Sequence, residues 1–362
     1  MVANLKKLIS FKTIVGNHKE NKRALGWVRD QLQGLPLYLE DHASAGFSSL
    51  TVTTQKTKKP ALWLAGHMDV AKADSRMFNA VVKKNRLYGR GAFDMKFAIA
   101  SYIKILKELK NNLSKMDFGL IITTDEEVGG TNGIKFLLDK GYGSQAVFLP
   151  DGGEDWKIEK ASKGIWSFTV KSYGKSAHPS MPWLAINALE ELMDFLQILR
   201  SRFQIRSGIN SRRAYSTIDI NELNTGKTGD ILPDYAEAMV DVFLVSEKER
   251  ERTEAYIKEA SKKFKGIKIE TNFSKPSLKI NLKNQYVRLF SQIAFKKYGI
   301  KRETVFTHSS SDAVFFAQKG ISVIETRPKG GGHHSENEWI DIADLEKFHL
   351  VLKDYVEAVS RD

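Results

Sequence analysis

Acidic and imidazole side chains recur in this sequence where short apolar runs end. His67 and Asp69 follow one such run, and the three acids Asp125–Glu127 follow another. Imidazole and carboxylate groups bind zinc and related divalent ions, and a positioned carboxylate can carry a proton. Since the chain has no cysteine, any metal ion would be held by His, Asp and Glu. These residue types make metal-dependent chemistry the first hypothesis.

Each pattern also has an ordinary structural explanation. A surface histidine would account for His67 without a metal ion. Asp94 follows the segment Gly89-Arg-Gly-Ala-Phe and precedes a helical pattern, and aspartate is a common N-cap at such a position. The run Asp125–Glu127 suits the start of a helix, whose dipole favours acidic residues. Asp151, in the pattern Pro-Asp-Gly-Gly, suits a β-turn. No single pattern decides between these explanations and a metal site.

A fifth pattern offers a second imidazole near the C-terminal end. Gly330-Gly-Gly precedes His333 and His334, and Ser-Glu-Asn-Glu338 follows them. Glycine allows the backbone to approach a site closely. Taken together, the five patterns supply two imidazoles and at least three carboxylates, each after a predicted strand or beside glycines.

A charge count favours a site for two ions. Crowded carboxylates repel each other unless a cation or a proton neutralises them. If Asp94, Glu127 and Asp151 bind two divalent ions with a bridging hydroxide, four negative charges meet four positive charges. Glu126 would then remain as an additional carboxylate that can take a proton.

The elements expected to position these residues form an α/β domain with a mostly parallel central sheet flanked by helices. Short apolar runs predict buried strands, and apolar residues at i, i+3 and i+4 predict helices. Ligand sites of such sheets lie beyond the carboxyl ends of the strands, which is where the patterns fall. The predicted strands are 61–65, 118–123, 146–149 and 321–324, and the predicted helices include 95–109, 133–140, 285–297 and 342–359.

The middle of the chain has a different order of elements. The order strand, helix, strand, strand, helix, strand is that of a ferredoxin-like unit. We therefore predict an inserted domain over 164–275, between two parts of the larger domain, 1–163 and 276–362. The elements are 165–173, 184–200, 215–221, 236–245, 247–263 and 267–272.

Length and charge restrict the class of protein. At 362 residues the chain exceeds the usual size of one core, so two domains are expected. The net charge of +13 comes from scattered basic clusters without a nucleic-acid-binding motif. No stretch approaches the roughly 20 apolar residues of a membrane span, and no signal-peptide pattern begins the chain. We expect a cytoplasmic protein with neither nucleic acid nor membrane as partner.

In this order, the patterns resemble the two-domain metallopeptidases that include aminoacylase, carboxypeptidase G, acetylornithine deacetylase and succinyl-diaminopimelate desuccinylase. The resemblance covers essentially the whole chain and extends to Gly174-Lys-Ser-Ala-His178-Pro in the inserted domain. It implies a dinuclear hydrolase, with zinc favoured over cobalt or manganese, that cleaves an amide bond in a small peptide or N-acylated amino acid. Exopeptidase and deacylase both remain open. The alternative is a catalytically silent peptide-binding or assembly protein on the same fold.

The resemblance assigns the metal ligands residue by residue. It makes His67 and Asp151 ligands of one ion and Glu127 and His334 ligands of the other. Asp94 bridges both ions. His334 is preferred to its neighbour because two residues separate it from the Asn-Glu pair.

The resemblance also implies roles for residues that do not bind metal. Glu126 would be the general acid/base, and Asp69 would orient His67. His178 would donate to a substrate oxygen, often across a dimer interface, so that the inserted domain acts as a lid or in homodimer formation. The peptide bond after Asp94 is expected to be cis.

One departure from the family pattern concerns substrate recognition. Relatives often carry arginine after an Asp-Ile or Asp-Val pair, where it helps to hold a substrate carboxylate. In this chain Phe243 follows Asp241-Val242. The usual carboxylate contact is therefore missing at this position.

Overall fold

In the computed structural model, the described residues are 1–203, 215–226 and 229–360. They fold into two compact units. The larger unit comprises Met1–Ala161, Lys279–Thr307 and Ser311–Asp362, and the smaller unit comprises Ser162–Leu278 and His308–Ser310. The segment predicted to have the ferredoxin-like order lies within the smaller unit.

The helices and strands are numbered in chain order. Within the described residues, no helix is both long and apolar enough to span a membrane. The helices are α1 (Val2–Ser10), α2 (His18–Gln31), α3 (Lys96–Glu108), α4 (Phe136–Asp139), α5 (Ala188–Arg202), α6 (Glu247–Ser261), α7 (Gln285–Tyr298), α8 (Ala313–Gln318) and α9 (Ile342–Ser360). The strands are β1 (Tyr38–Ser44), β2 (Phe47–Thr53), β3 (Leu62–His67), β4 (Val81–Lys83), β5 (Arg86–Tyr88), β6 (Phe118–Thr123), β7 (Ala146–Phe148), β8 (Ile158–Ser162), β9 (Gly164–Tyr173), β10 (Thr217–Thr225), β11 (Tyr235–Leu244), β12 (Ile267–Lys275), β13 (Leu278–Lys279), β14 (Thr304–Thr307), β15 (Ser322–Ile324), β16 (Gly330–Gly331) and β17 (Trp339–Asp341).

The central sheet of the larger unit has the described strands in the order β1-β2-β6-β3-β7-β15. The pairs β6-β3, β3-β7 and β7-β15 are parallel, while β1-β2 and β2-β6 are antiparallel. Every residue of β3 and β6 is buried, which explains why these strands appear in the sequence as uninterrupted apolar runs. The predicted α/β class with a mostly parallel sheet is confirmed.

Helices of the larger unit pack on this sheet. α3 packs against β3 and α9, and α7 packs against α9 and β15. The first eight residues of α3, Lys96 to Ile103, are all buried. Phe97 in this turn meets Phe348 of α9 edge-on, with ring centroids 5.2 Å apart. This packing holds the start of α3, and Asp94 lies two residues before it.

A second sheet of the larger unit brings two distant loops together. Its described strands have the order β16-β17-β5-β4, and Trp339 of β17 pairs with Tyr88 of β5. The loop that carries Asp94 follows β5, and the loop that carries His334 connects β16 to β17. Pairing of these short strands therefore places the two loops side by side.

The smaller unit has a four-stranded sheet in the order β10-β11-β9-β12, in which all neighbours are antiparallel. Burial alternates along β11, as expected for a sheet with one face in a core. α5 packs against β9 and β11, and α6 packs against β11 and α5. Phe168, Phe195 and Val240 are fully buried in this core. The element order is the predicted β-α-β-β-α-β.

Candidate metal centre

Three of the predicted ligands follow neighbouring parallel strands. β3 ends at His67, Glu127 follows β6, and Asp151 follows β7. The strands β6, β3 and β7 are adjacent in that order, so their carboxyl ends meet at one edge of the sheet. There, Nε2 of His67 lies 3.7 Å from Oδ1 of Asp151.

Asp94 lies between two imidazoles. Its Oδ1 is 3.3 Å from Nε2 of His67, and its Oδ2 is 3.2 Å from Nε2 of His334. The same Nε2 of His334 is 3.2 Å from Oε2 of Glu127. Each oxygen of the Asp94 carboxylate thus faces a different imidazole, which is the arrangement that a carboxylate bridging two ions requires.

The side chains form two groups, each able to hold one ion. His67, Glu126 and Asp151 offer ligand atoms that all lie within 4.8 Å of one another. Asp94, Glu127 and His334 form a second group by the same criterion. The structure therefore brings together every predicted metal ligand, and Glu126 is a member of the first group.

The electrostatics of the cluster favour cations. Burial lowers the pKa of His67, but contacts with Asp151, Asp69 and Asp94 outweigh it and hold that pKa well above its usual range. Contacts with Asp94 and Glu127 raise the pKa of His334 to about 11. Although burial opposes ionisation of Asp94, the two imidazoles hold the pKa of this carboxyl well below its usual range. The carboxylate field that stabilises imidazolium would also stabilise divalent ions.

The donor set fits divalent metal ions. His67 is buried, and its Nε2 makes no hydrogen bond with the described residues. Its Nδ1 lies 2.9 Å from the backbone oxygen of Asp69. A proton on Nδ1 leaves the lone pair of Nε2 for a metal ion. Imidazole nitrogens and carboxylate oxygens suit zinc and also cobalt or manganese.

Asp69 contacts two of the predicted ligand residues. Its carbonyl is the hydrogen-bond acceptor for His67, while its carboxylate Oδ1 lies farther away, at 3.6 Å from Nδ1. Its Oδ2 accepts a hydrogen bond from the backbone N–H of Glu127 at 3.0 Å. Asp69 thus orients His67 through its backbone and the Glu127 turn through its side chain.

Glu338 organises the loop that carries Asp94. This fully buried carboxylate accepts hydrogen bonds from Arg90 Nη1 at 2.7 Å and from the backbone N–H of Gly91 at 3.0 Å. Its other oxygen accepts from the N–H groups of Phe93 and Asp94, at 2.8 and 3.0 Å. Sequence reasoning did not find this role. Glu338 was visible only as an acidic residue near His334, and its partners lie more than 240 positions away.

Asp125, the first of the three consecutive acids, has a structural role. Its Oδ2 accepts the backbone N–H groups of Asn132 and Gly133, at 2.7 and 2.9 Å. Burial raises the pKa of Asp125 to about 7, and the charges of Asp312 and Asp69 act in the same direction. Asp125 therefore holds the turn after Glu127 in place.

His178 belongs to the smaller unit, where it lies exposed in a loop after β9. The backbone N–H of Ser180 donates to its Nδ1 at 3.2 Å, and the Ser180 hydroxyl lies 2.8 Å from the same atom. A neutral ring that accepts at Nδ1 carries its proton on Nε2. His178 therefore presents an N–H donor at Nε2, and its role toward substrate stays a prediction.

The expected cis peptide is present between Asp94 and Met95. Residues 63–358 match the family described as Peptidase family M20/M25/M40. The chain belongs to this family. The resemblance inferred from the sequence is thereby confirmed, and this M20 chain is a metal-dependent hydrolase.

Relatives and solved structures extend the comparison over the whole M20 chain. It is 25% identical to a succinyl-diaminopimelate desuccinylase of Nitratiruptor sp. over 370 residues, covering 98% of each chain. A probable succinyl-diaminopimelate desuccinylase of Staphylococcus aureus is 35% identical over 156 residues, which cover 40% of this chain and 37% of the relative. The M20 metallo-carboxypeptidase Sso-CP2 from Sulfolobus solfataricus superposes with a TM-score of 0.82 at 18% identity, covering 99% of this chain and 98% of the other. The dipeptidase Dug1p from Saccharomyces cerevisiae superposes with a TM-score of 0.79 at 15% identity, covering 99% and 95%. Because the sequence identities are this low, the likeness to these two solved structures shows a shared fold and nothing further.

Proposed function

We propose that this M20 chain is a dinuclear hydrolase that cleaves the amide bond of a small peptide or an N-acylated amino acid. The observation that carries the proposal is the position of Asp94, whose two oxygens face two different imidazoles. In this proposal His67 and Asp151 would hold one ion, Glu127 and His334 would hold the other, and Asp94 would contribute to both. Zinc is the proposed ion because its preferred ligands are of these types.

Glu126 is the proposed general acid/base. Bound divalent ions lower the pKa of a water molecule and polarise an amide carbonyl. Glu126 then takes a proton from the attacking water and delivers it to the departing amine. Its position supports this role, because it offers an oxygen within 4.8 Å of the ligand atoms of His67 and Asp151.

Two further residues assist in the proposed mechanism. Asp69 orients His67 and the turn of Glu127 by the hydrogen bonds described above. His178 is the proposed donor to the oxyanion of the tetrahedral intermediate, since its Nε2 carries a proton when Nδ1 accepts from Ser180.

The substrate class is proposed from the relatives. Desuccinylases remove an acyl group from an amine, whereas the neighbouring structures include a carboxypeptidase and a dipeptidase. Both reactions break an amide bond with a small acyl or amino-acid group on one side. The sequence match over the full length favours a deacylase, and exopeptidase activity is the second candidate.

A substrate panel with the Glu126→Gln variant tests the reaction. Zinc-loaded protein is assayed with N-acetyl and N-succinyl amino acids and with dipeptides. We expect Glu126→Gln to keep its metal content and to lose about 100-fold or more in kcat, the scale of a positioned proton carrier. Glu154→Gln is the matched control, because Glu154 is an exposed glutamate near Asp151 in sequence.

Two outcomes would contradict this assignment. Wild-type turnover by Glu126→Gln would remove Glu126 from the mechanism. If metal-loaded wild-type protein hydrolysed no compound of the panel but still bound dipeptides, the silent peptide-binding alternative would be favoured instead.

We further propose a homodimer that forms through the smaller unit. This unit exposes apolar side chains close together in sequence, and Trp183 is 74% exposed while Leu184 and Ile186 are each about half exposed. Exposed apolar groups of this size are typical of interaction surfaces. Sedimentation velocity should give a dimer for the wild type and a lighter species for Trp183→Ser. A monomeric wild-type protein at micromolar concentration would contradict the proposal.

A further inference from the structure

A buried arginine lies between two of the loops that carry predicted metal ligands. Arg327 is only 5% exposed. Its Nε donates to the backbone oxygen of Gly153 at 3.0 Å, two residues after Asp151. Its guanidinium lies 4.3 Å from the ring centroid of Phe93, the residue before Asp94. Arg327 is therefore adjacent to both the Asp151 turn and the Asp94 loop.

The guanidinium of Arg327 lacks an anionic partner among the residues that the structure describes. Its one side-chain hydrogen bond there is the bond from Nε, and no carboxylate of those residues lies within 4 Å of it. By comparison, the buried Arg90 in the Asp94 loop forms an ion pair with Glu338, with 2.7 Å between Nη1 and the carboxylate oxygen. A buried cation is unfavourable unless an anion or hydrogen bonds compensate it.

Glu325 does not serve as that partner. The charge of Arg327 acts on Glu325, but no hydrogen bond joins these two side chains among the described residues. Burial and the neighbouring Glu159 raise the pKa of Glu325 well above its usual range.

The stacking of Arg327 leaves its hydrogen-bonding edge available. A guanidinium that lies over an aromatic ring keeps its N–H groups in its own plane, pointing away from the ring. Here one of those groups is used by Gly153, and the terminal nitrogens have no partner among the described residues. Two parallel N–H groups match the two oxygens of a carboxylate.

Arg327 is also close to exposed surface beside His334. His333 is exposed, and its ring centroid is 6.3 Å from that of Phe93. Arg327 and His333 thus border the same phenylalanine ring next to a predicted metal ligand.

We propose that Arg327 binds a carboxylate group of the substrate and so selects acidic amides. The proposal rests on the proposed hydrolase function and adds a binding residue to that site. A carboxylate fits better than a larger anion, because one side of the guanidinium is stacked and one N–H is already used. The carboxylate can belong to the acyl group or to the amino acid, and the test below separates these sources.

The test uses substrates that differ by one charged group. N-Succinyl-L-alanine is compared with N-butyryl-L-alanine, which lacks the acyl carboxylate, and N-acetyl-L-alanine is compared with its primary amide. The protein variants are Arg327→Met and Arg327→Lys. Arg86→Met is the matched control, because Arg86 stacks over Trp339 at 3.7 Å and is exposed. Metal content and the thermal unfolding midpoint are measured for each variant.

For one of the two pairs, we expect the wild type to prefer the acidic member. Arg327→Met should raise KM for that member by about 10- to 100-fold, the scale of a lost charge-assisted hydrogen bond. The neutral member should change little, so the preference between them disappears. Arg327→Lys should lie in between, since lysine keeps the charge but lacks the two-pronged geometry. Arg86→Met should behave as the wild type.

Three results would overturn the proposal. The first is that the wild type hydrolyses the acidic and the neutral member of each pair at equal rates. Another is an unchanged preference in a folded, metal-loaded Arg327→Met protein. If the wild type hydrolyses no substrate, the proposed hydrolase function fails, but this result does not test Arg327. Isothermal titration calorimetry with succinate then tests whether Arg327 binds a carboxylate. Succinate binding that is equally strong for wild type and Arg327→Met, or absent from both, would refute the role of Arg327.

Discussion

Replacing Glu338 by glutamine would disturb the Asp94 loop without removing a predicted metal ligand. One carboxylate oxygen of Glu338 accepts from Arg90 and Gly91, and the other accepts from Phe93 and Asp94. A glutamine side chain has one oxygen for these donors, and its NH₂ group faces the remaining two N–H groups. Whichever way the amide is turned, two of the four hydrogen bonds are lost.

The magnitude follows from the nature of the lost bonds. A hydrogen bond to a charged group contributes about 1.5–3 kcal/mol, so two of them contribute about 3–6 kcal/mol. Domain stabilities are typically about 5–15 kcal/mol, so the Glu338→Gln protein should still fold at low temperature. The loop should also hold Asp94 less well, and partners that orient metal ligands typically affect metal affinity by about 10- to 100-fold.

Two measurements test this reasoning. Urea unfolding of metal-free protein gives the free energy of unfolding, and competition with a chromophoric chelator gives zinc affinity. Glu336→Gln is the control, because Glu336 is exposed and pairs with Arg76 at the surface. Substitutions of that kind usually change stability by less than about 0.5 kcal/mol. If Glu338→Gln matched the wild type in both measurements, the positioning role of Glu338 would be wrong.

Two further predictions concern protons. Zinc binding to metal-free protein at pH 7 should release protons, because metal ligation requires neutral imidazole. The pKa of His334 is raised to about 11, and neighbouring carboxylates raise the pKa of His67 well above its usual range. An indicator dye in weak buffer measures the release, and a proton count near zero would argue against imidazole ligation. Asp125→Asn should stabilise the metal-free protein increasingly as pH rises above 4. The pKa of Asp125 is about 7 in the fold against 3.8 ordinarily, so the folded state binds more protons between these values and loses stability as pH rises. Urea unfolding at pH 5 and pH 8 checks this, and an equal effect at both pH values would contradict it.

The strands that position the site could be predicted because they are buried on all sides. β3 and β6 consist entirely of buried residues, and such runs stand out in a sequence. The hairpin β1–β2 was not predicted, because every residue of β1 is partly or fully exposed and its sequence is largely polar. The predicted helix 133–140 begins as a wider π-helical turn at Thr131–Lys135. Its first N–H groups bond to Asp125, a contact that periodicity does not reveal.

The predicted metal ligands came from residue types and their order, whereas the groups that support them did not. Asp94 and His334 were recognisable because each lies beside glycines in a motif. Glu338 and Arg90 form an ion pair across 248 positions, and no local pattern marks two such residues as partners. The position of Arg327 between two loops depends likewise on tertiary packing.

The path of the chain also determines when the site can be completed during synthesis. His67, Asp94 and Asp151 all precede the smaller unit, while His334 and its neighbour Glu338 come only after the chain has returned to the larger unit. A nascent polypeptide still attached to the ribosome at residue 300 therefore has one of the two predicted imidazole ligands and an Asp94 loop without its carboxylate acceptor. In the proposed function, the metal centre would accordingly be completed only after His334 and Glu338 have been translated.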